Sequence, residues 1–205
     1  DRWLAAGETV KSLTRNPARA NKFSESGIDP ILADVTQPDT LANLPAADVV
    51  LFAVGFDRSA GYEIEEVYVD GLRNFLNALP QPPRRFISIS STGVFGQTDG
   101  SWVNEDSPCE PTRAGGRACL AAERMLREGE FAEGVVILRC AGLYGPGRIP
   151  RWKDIESHQP IAAKPDVWLN LIHIDDAADL VVKVAIEDVP SRLYLVADGN
   201  PVQRR

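Results

Sequence analysis

The chain has 205 residues, 44% of them apolar and 25% charged, with a formal net charge of −7. That is the makeup of one ordinary globular domain, large enough to bury a substantial core and, beyond it, a small appended lobe. The acidic balance and the lack of any long basic run argue against nucleic acid or an anionic membrane as the main partner, and leave a small-molecule ligand.

In chain order, Trp3-Leu4-Ala5-Ala6-Gly7 reads as the last turn of a helix closed by glycine and followed at once by a strand. A strand and a glycine turn are therefore expected ahead of Asp1. Apolar, β-branched segments at residues 9–14, 28–33, 48–54, 85–90, 134–138, 169–174 and 193–196 predict strands, with helices between them. Residues 63–79 form the clearest helix, because Ile64, Tyr68, Leu72, Phe75, Leu76 and Leu79 recur at helical spacing and Pro80 closes the run. A second helix is predicted over 116–128, and a third from about Asp175-Asp176, whose carboxylates suit a helix N-terminus. Loops 97–114 and 144–166, rich in Pro, Gly and Trp, have the character of lids or substrate walls. At the far end, LYLVADGNPV leads into Arg205 where another helix is expected. The alternation predicts an α/β protein: a doubly wound parallel sheet with helices on both faces, truncated at both ends.

Two further exclusions follow from the same residues. No window has the apolar length of a transmembrane helix, and no signal peptide is visible. Cys109, Cys119 and Cys140 lack metal-type spacing and cannot all pair, so reduced thiols in a cytoplasmic protein are expected.

The segment RRFISISSTGVFG, residues 84–96, reads as a buried strand that delivers Ser90, Ser91 and Thr92 to the rim of the sheet, where open α/β sheets bind ligands. It is one of several ordered motifs. Val69-Asp70-Gly71-Leu72-Arg73-Asn74, Ser90 to Gly96, Asn104-Glu105-Asp106-Ser107-Pro108, the run RCAGLYGPG at 139–147 and IHIDD at 172–176 follow one another along the chain. In that order they resemble the extended short-chain dehydrogenase/reductase superfamily, in particular the NAD-dependent epimerase/dehydratase-like proteins, in an atypical form. The resemblance implies a Rossmann-like NAD(P)-binding domain over residues 1–140, lacking its first strand and glycine loop. Residues 141–205 would then complete the sheet and form part of a small C-terminal substrate lobe. It also implies a possible homodimer through the helices at 63–79 and 116–128.

By the same resemblance, Ser91 occupies the place of the catalytic Ser/Thr that hydrogen-bonds the reacting oxygen, a role a hydroxyl at a strand end can fill. The family's Tyr and Lys, four residues apart on one helical face, fall on Gly115 and Cys119, so both side chains are replaced. No tyrosine in the chain has lysine four residues on. Loss of that acid/base pair removes a factor of about 10² to 10⁴ in rate unless another group substitutes. Tyr144, tuned by Arg148 or Arg117, is one candidate phenol, and a purely structural Tyr144 is the competing reading. Cys119 as nucleophile stands against a buried, inert thiol.

For the cofactor, the second strand of the family fold ends here in Thr14-Arg15-Asn16, and Arg15 suggests a ribose 2′-phosphate, hence NADP, with NAD also possible; a solvated Arg15 is the alternative. The resemblance assigns Asp34 and Val35 to the adenine end. It assigns Ala53, Val54 and Gly55 to the pyrophosphate and ribose, and Ala141 and Leu143 to the nicotinamide side, while Ser90 is either a cofactor-binding or a turn residue. Thr92, Arg117, Gly142, Arg148 and Trp152 are the substrate-side candidates, with Arg148, Arg151 and Trp152 either contacting a nucleotide-linked sugar or forming a solvated loop. The implied activity is a reductase or epimerase acting on a nucleotide-sugar or other small carbonyl compound. A degenerate, NADP-binding sensor is the alternative.

Overall fold

The computed structural model describes residues 2–130, 132–149, 152–159 and 167–203. A short helix α1 (Arg2–Ala5) leads into strand β1 (Lys11–Thr14), helix α2 (Pro17–Glu25) and strand β2 (Asp29–Leu32). Asn16 starts α2: its side-chain oxygen accepts from the Arg19 N–H at 3.1 Å, and Pro17 supplies the fixed φ of a first helical turn. Strand β3 (Val49–Phe52) precedes a π-helical turn (Glu66–Asp70) that runs into α3 (Gly71–Ala78). Next come β4 (Arg85–Ser91), α4 (Ala114–Glu128), β5 (Val135–Cys140) and β6 (Gly142–Tyr144). The last elements are α5 (Trp152–Glu156), β7 (Trp168–Leu169), β8 (Leu171–His173), α6 (Ile174–Ile186), β9 (Leu193–Val196) and β10 (Val202–Gln203).

The main sheet has strand order β3-β4-β5-β9, every pair parallel, and β1 pairs in parallel with β2. Parallel pairing requires crossovers, which α4 supplies between β4 and β5 and α6 supplies between β5 and β9. Helices cover both faces. One core cluster joins Ile87, Val136 and Leu138 to Val181, Val184 and Ala185 of α6. The other joins Phe52, Phe86 and Ile137 to Leu72 of α3 and Leu126 of α4. Burial on both faces explains why β5, VVILRC, is buried at every residue rather than alternating. This is a Rossmann-like layered arrangement, as the alternating pattern predicted.

The differences from the sequence expectations are local and have causes. Residues 169–174 are two short strands rather than one: β7 pairs antiparallel with β10, β8 pairs parallel with β6, and Asn170 between them gives its carbonyl to the Gly142 N–H at 3.0 Å. The helix over 63–79 contains the π turn, whose bond from the Gly71 N–H to the Glu66 carbonyl inserts one residue into the helical repeat. It stops at Ala78, because Leu79 is already extended ahead of Pro80. Strand β5 runs two residues past its expected end, to Cys140, in register with Ser91. Of the loop expected over 144–166, residues 150–151 and 160–166 lie outside the described ones, as does Arg151.

One close approach sets the position of α4. A Cβ built on Gly116 would collide with the Gly93 carbonyl oxygen and lie 2.8 Å from the Pro111 Cβ, so the helix can rest on the turn after β4 only with glycine there. Gly116→Ala is therefore expected to lower stability by about 1–3 kcal/mol, the usual range for overpacking. Urea unfolding of the variant against wild type measures it, and an unchanged midpoint would contradict the packing described.

Candidate functional site

At the carboxyl ends of β3, β4 and β5 a cavity of about 700 Å³ opens. Its position follows from topology: parallel strands all end on one side, and their following loops diverge around a crevice. The walls are Ala53, Val54 and Gly55 after β3, Ser90 and Ser91 at the end of β4, and Ala141, Gly142 and Leu143 after β5. Tyr68 from the π turn, Cys119 and Glu123 from α4, and Arg148 add polar groups, as do Arg2 from α1 and Ser88 from β4. The size falls within the range of small-molecule sites, and the small residues along two strand ends leave backbone accessible to a flat ring or a phosphate.

Ser91 caps the short turn that follows β4: its Oγ accepts from the Gly93 N–H at 3.0 Å. A hydroxyl oxygen held that way keeps its own hydrogen free to donate into the cavity. Ser90 points the other way and donates to Glu123 Oε1 at 2.6 Å. Glu123 in turn accepts two bonds from Arg139, at 2.7 Å from Nη2 and 3.0 Å from Nε. Glu123 is 2% and Arg139 3% exposed, so this is a fully desolvated, bidentate pair, with the guanidinium also 5.2 Å from the Phe95 ring centre. Burial, reinforced by the Glu123 carboxylate, pushes the thiol of Cys119 up, and Cys119 is held neutral. Burial likewise pushes the Cys140 thiol up to about 11.

Arg148 reaches the cavity from a tight loop. The Arg148 N–H donates to the Gly145 carbonyl at 2.9 Å, the reciprocal bond is 3.2 Å, and its Nε donates to the Leu143 carbonyl at 3.2 Å. Tyr144 has a different setting: its ring stacks edge-on against His173, centres 5.2 Å apart, and it is not among the residues lining the cavity. Thr92, Arg117 and Trp152 also stand apart from that lining. Arg117 donates to the Thr112 carbonyl at 3.0 Å and faces a separate shallow groove beside Cys109, and Trp152 is 49% exposed.

The residues expected at the adenine end lie at the tips of β1 and β2. Arg15 is ion-paired to Asp57 at 2.7 Å and sits 6.0 Å from the Tyr62 ring centre. Asp34 Oδ1 accepts from the Thr36 N–H and hydroxyl at 2.9 and 2.7 Å, which closes the turn after β2. Val35 is buried, with its carbonyl accepting from Asn74 Nδ2 at 3.0 Å. Sequence reasoning therefore brought Ser90, Ser91, Ala53, Val54, Gly55, Ala141, Gly142, Leu143 and Arg148 to one cavity, and left Tyr68 and Glu123 without a role there. Glu123 had a signal: an arginine inside the apolar strand β5 must find a buried acid.

Comparison with known proteins agrees with this architecture. The family model for the NAD-dependent epimerase/dehydratase family matches residues 1–197. Protein YeeZ of Escherichia coli K12 is 32% identical over 208 residues, covering 98% of this chain and 72% of YeeZ. A Methylobacillus flagellatus protein assigned to the NAD-dependent epimerases/dehydratases is similar at 33% identity and a TM-score of 0.76, over 99% of this chain and 71% of that one. The Streptomyces venezuelae dTDP-glucose 4,6-dehydratase DesIV, solved with NAD bound, shares the fold at a TM-score of 0.80 and 19% identity, over 99% and 72% of the two chains.

Two outcomes are expected from the buried groups. Glu123→Ala leaves Arg139 charged and unpaired in the core and should cost about 3–5 kcal/mol, read by urea unfolding; a loss under about 1 kcal/mol would show that the pair is not desolvated. The Cys140 thiol titrates higher folded than the roughly 8.5 expected of an unfolded thiol. Its contribution to stability is thus fully present below that value and is lost as the pH climbs through about 11. Native protein at pH 8 should accordingly label Cys140 with a disulfide reagent only at its unfolding rate, followed by mass spectrometry; prompt labelling would contradict its burial.

Proposed function

Because the chain belongs to the NAD-dependent epimerase/dehydratase family, we propose that it is a nicotinamide-dinucleotide-binding reductase or epimerase acting on a small carbonyl compound, nucleotide-linked sugars included. The observation that carries this reading is Ser91, whose hydroxyl stands in the cavity at a strand end with its oxygen fixed by the Gly93 N–H and its hydrogen free. A donor held in place before reaction stabilises charge developing on a substrate oxygen without further reorganisation.

The groups present suit the cofactor. Ala53, Val54 and Gly55 offer a low wall and exposed backbone for the ribose and phosphates, and a Cβ built on Gly55 would meet no neighbouring atom. Ala141 and Leu143 offer an apolar surface for the nicotinamide ring. When bound, the dinucleotide would supply or withdraw hydride at the carbon of the substrate carbonyl. Ser91 would hold the carbonyl oxygen, Arg148 would bind a negatively charged part of the substrate, and the Glu123–Arg139 pair would fix Ser90 and the wall beside it. At the other end Arg15 would meet a ribose 2′-phosphate, favouring NADP over NAD; its ion pair with Asp57 competes for the same guanidinium.

A second reading has a specific observation in its favour. Cys119, at the position the resemblance gives to a lysine, is held as a neutral thiol and cannot serve as the cation of the family's acid/base pair. A dinucleotide-binding sensor without turnover would have the same cavity. Titration with NADPH and NADH, followed by nicotinamide fluorescence, then oxidation of bound NADPH against a panel of aldehydes and ketones, and product analysis of UDP-glucose and dTDP-glucose incubated with the protein and oxidised dinucleotide, separates the two. Ser91→Ala should lower turnover by about 10² to 10³ while leaving NADPH affinity within about twofold. Binding without turnover on any member of the panel favours the sensor, and no binding of either dinucleotide rejects both readings.

A further inference from the structure

The cavity holds one phenol, and it is not the one that the chain's motifs single out. Tyr68 lines it, half-buried, between the buried Val67 and Val69. Tyr68 sits within the π turn, whose inserted residue shifts the phase of the helix, and it lines the cavity together with Leu72. Its ring packs edge-on against Phe56, centres 6.5 Å apart. Tyr68 and Ser91 thus bring two hydroxyls to the same cavity, each with a hydrogen to donate.

Space at the family's tyrosine position points the same way. A Cβ on Gly115 would lie 3.3 Å from Ile64 Cδ1, one helical turn before Tyr68, so the first turn of that helix already fills the place beside Gly115. We propose that Tyr68 is the catalytic proton donor of this site, paired with Ser91 on the substrate oxygen, and that the site is built for carbonyl reduction. This rests on the reading of the cavity as a nicotinamide-dependent oxidoreductase site.

The step balances as follows. The carbonyl carbon gains hydride from the dihydronicotinamide, the C=O π pair moves onto oxygen, and the resulting alkoxide takes the Tyr68 Oη proton while Ser91 donates a hydrogen bond. The Tyr68 phenolate is then reprotonated from solvent, and the products are the alcohol and the oxidised dinucleotide. Burial raises the pKa of the phenol above that of an ordinary tyrosine, and Arg148 opposes. A neutral phenol can donate to an alkoxide readily but is a poor base for an alcohol, and no lysine is among the described residues lining the cavity.

The test compares wild type with Tyr68→Phe, which keeps the ring and its packing on Phe56. Substituting phenylalanine should lower kcat for reduction of 9,10-phenanthrenequinone or any active carbonyl of the panel by about 10² to 10³, with NADPH affinity by fluorescence titration within twofold. A fall confined to NADPH affinity or KM, turnover within twofold of wild type, or the loss appearing in Tyr144→Phe instead would each overturn the proposal. Absorbance titration of phenolate between pH 8 and 12 reads Tyr68 without any turnover: the wild-type minus Tyr68→Phe difference should show one phenol ionising later than free tyrosine. If wild type binds no dinucleotide, the functional reading fails on that measurement alone. A Tyr68 that then ionises like free tyrosine overturns the placement of its phenol as well.

Discussion

The interaction on which the site depends is the buried pair of Glu123 with Arg139, closed by Ser90. It ties α4 to β4 and β5 at the level where both strands reach the crevice. Without it two charges and a hydroxyl would be stranded in the core, a penalty larger than most single contacts return. With it, α4 is held at a fixed height against the sheet, Gly116 rests on the turn after Ser91, and Cys119 and Glu123 face inward. A buried ion pair is weak as a source of net stability but exacting in geometry, since the carboxylate and the guanidinium must meet face to face to offset their desolvation. Here that exactness is spent on the wall of a ligand cavity.

Around that fixed wall Ser91 and Tyr68 come from different elements, a strand end and a π turn, yet both line the same cavity. The Ser91 oxygen is fixed by the Gly93 N–H, and the Tyr68 ring is packed edge-on against Phe56. The thiol of Cys119 between them is kept neutral by burial and by Glu123, so it adds no charge to compete for the substrate oxygen. Reduction of a carbonyl needs donors more than it needs a base, and the cavity as built offers donors.

Much of this was legible in the residues. The alternation of apolar strands with helical stripes gave the layered sheet, and the ordered motifs from Val69 to Asp176 gave the strand ends that line the crevice. What escaped had physical reasons. A helical stripe containing Ile64, Tyr68 and Leu72 reads as a continuous core face, because spacing cannot reveal the π turn that interrupts the helix at Tyr68 or the cavity that Tyr68 lines. Arg15 looked available for a phosphate, but Asp57, distant in sequence, is its partner. Tyr144 ends a short strand and Arg117 lies in the first turn of α4, and the facing of each depends on the neighbour it meets, His173 and the Thr112 carbonyl. Local pattern carries the scaffold; long-range pairing decides which side chains reach the ligand.

If a nicotinamide dinucleotide meets its substrate in the crevice at the ends of β3, β4 and β5, hydrogen–deuterium exchange of the protein with saturating NADPH will slow in peptides covering residues 53–56, 91–94 and 141–143 relative to the free protein, with the outer face of α2 unaffected. Protection confined to other surfaces, with those three strand ends unchanged, would contradict that placement.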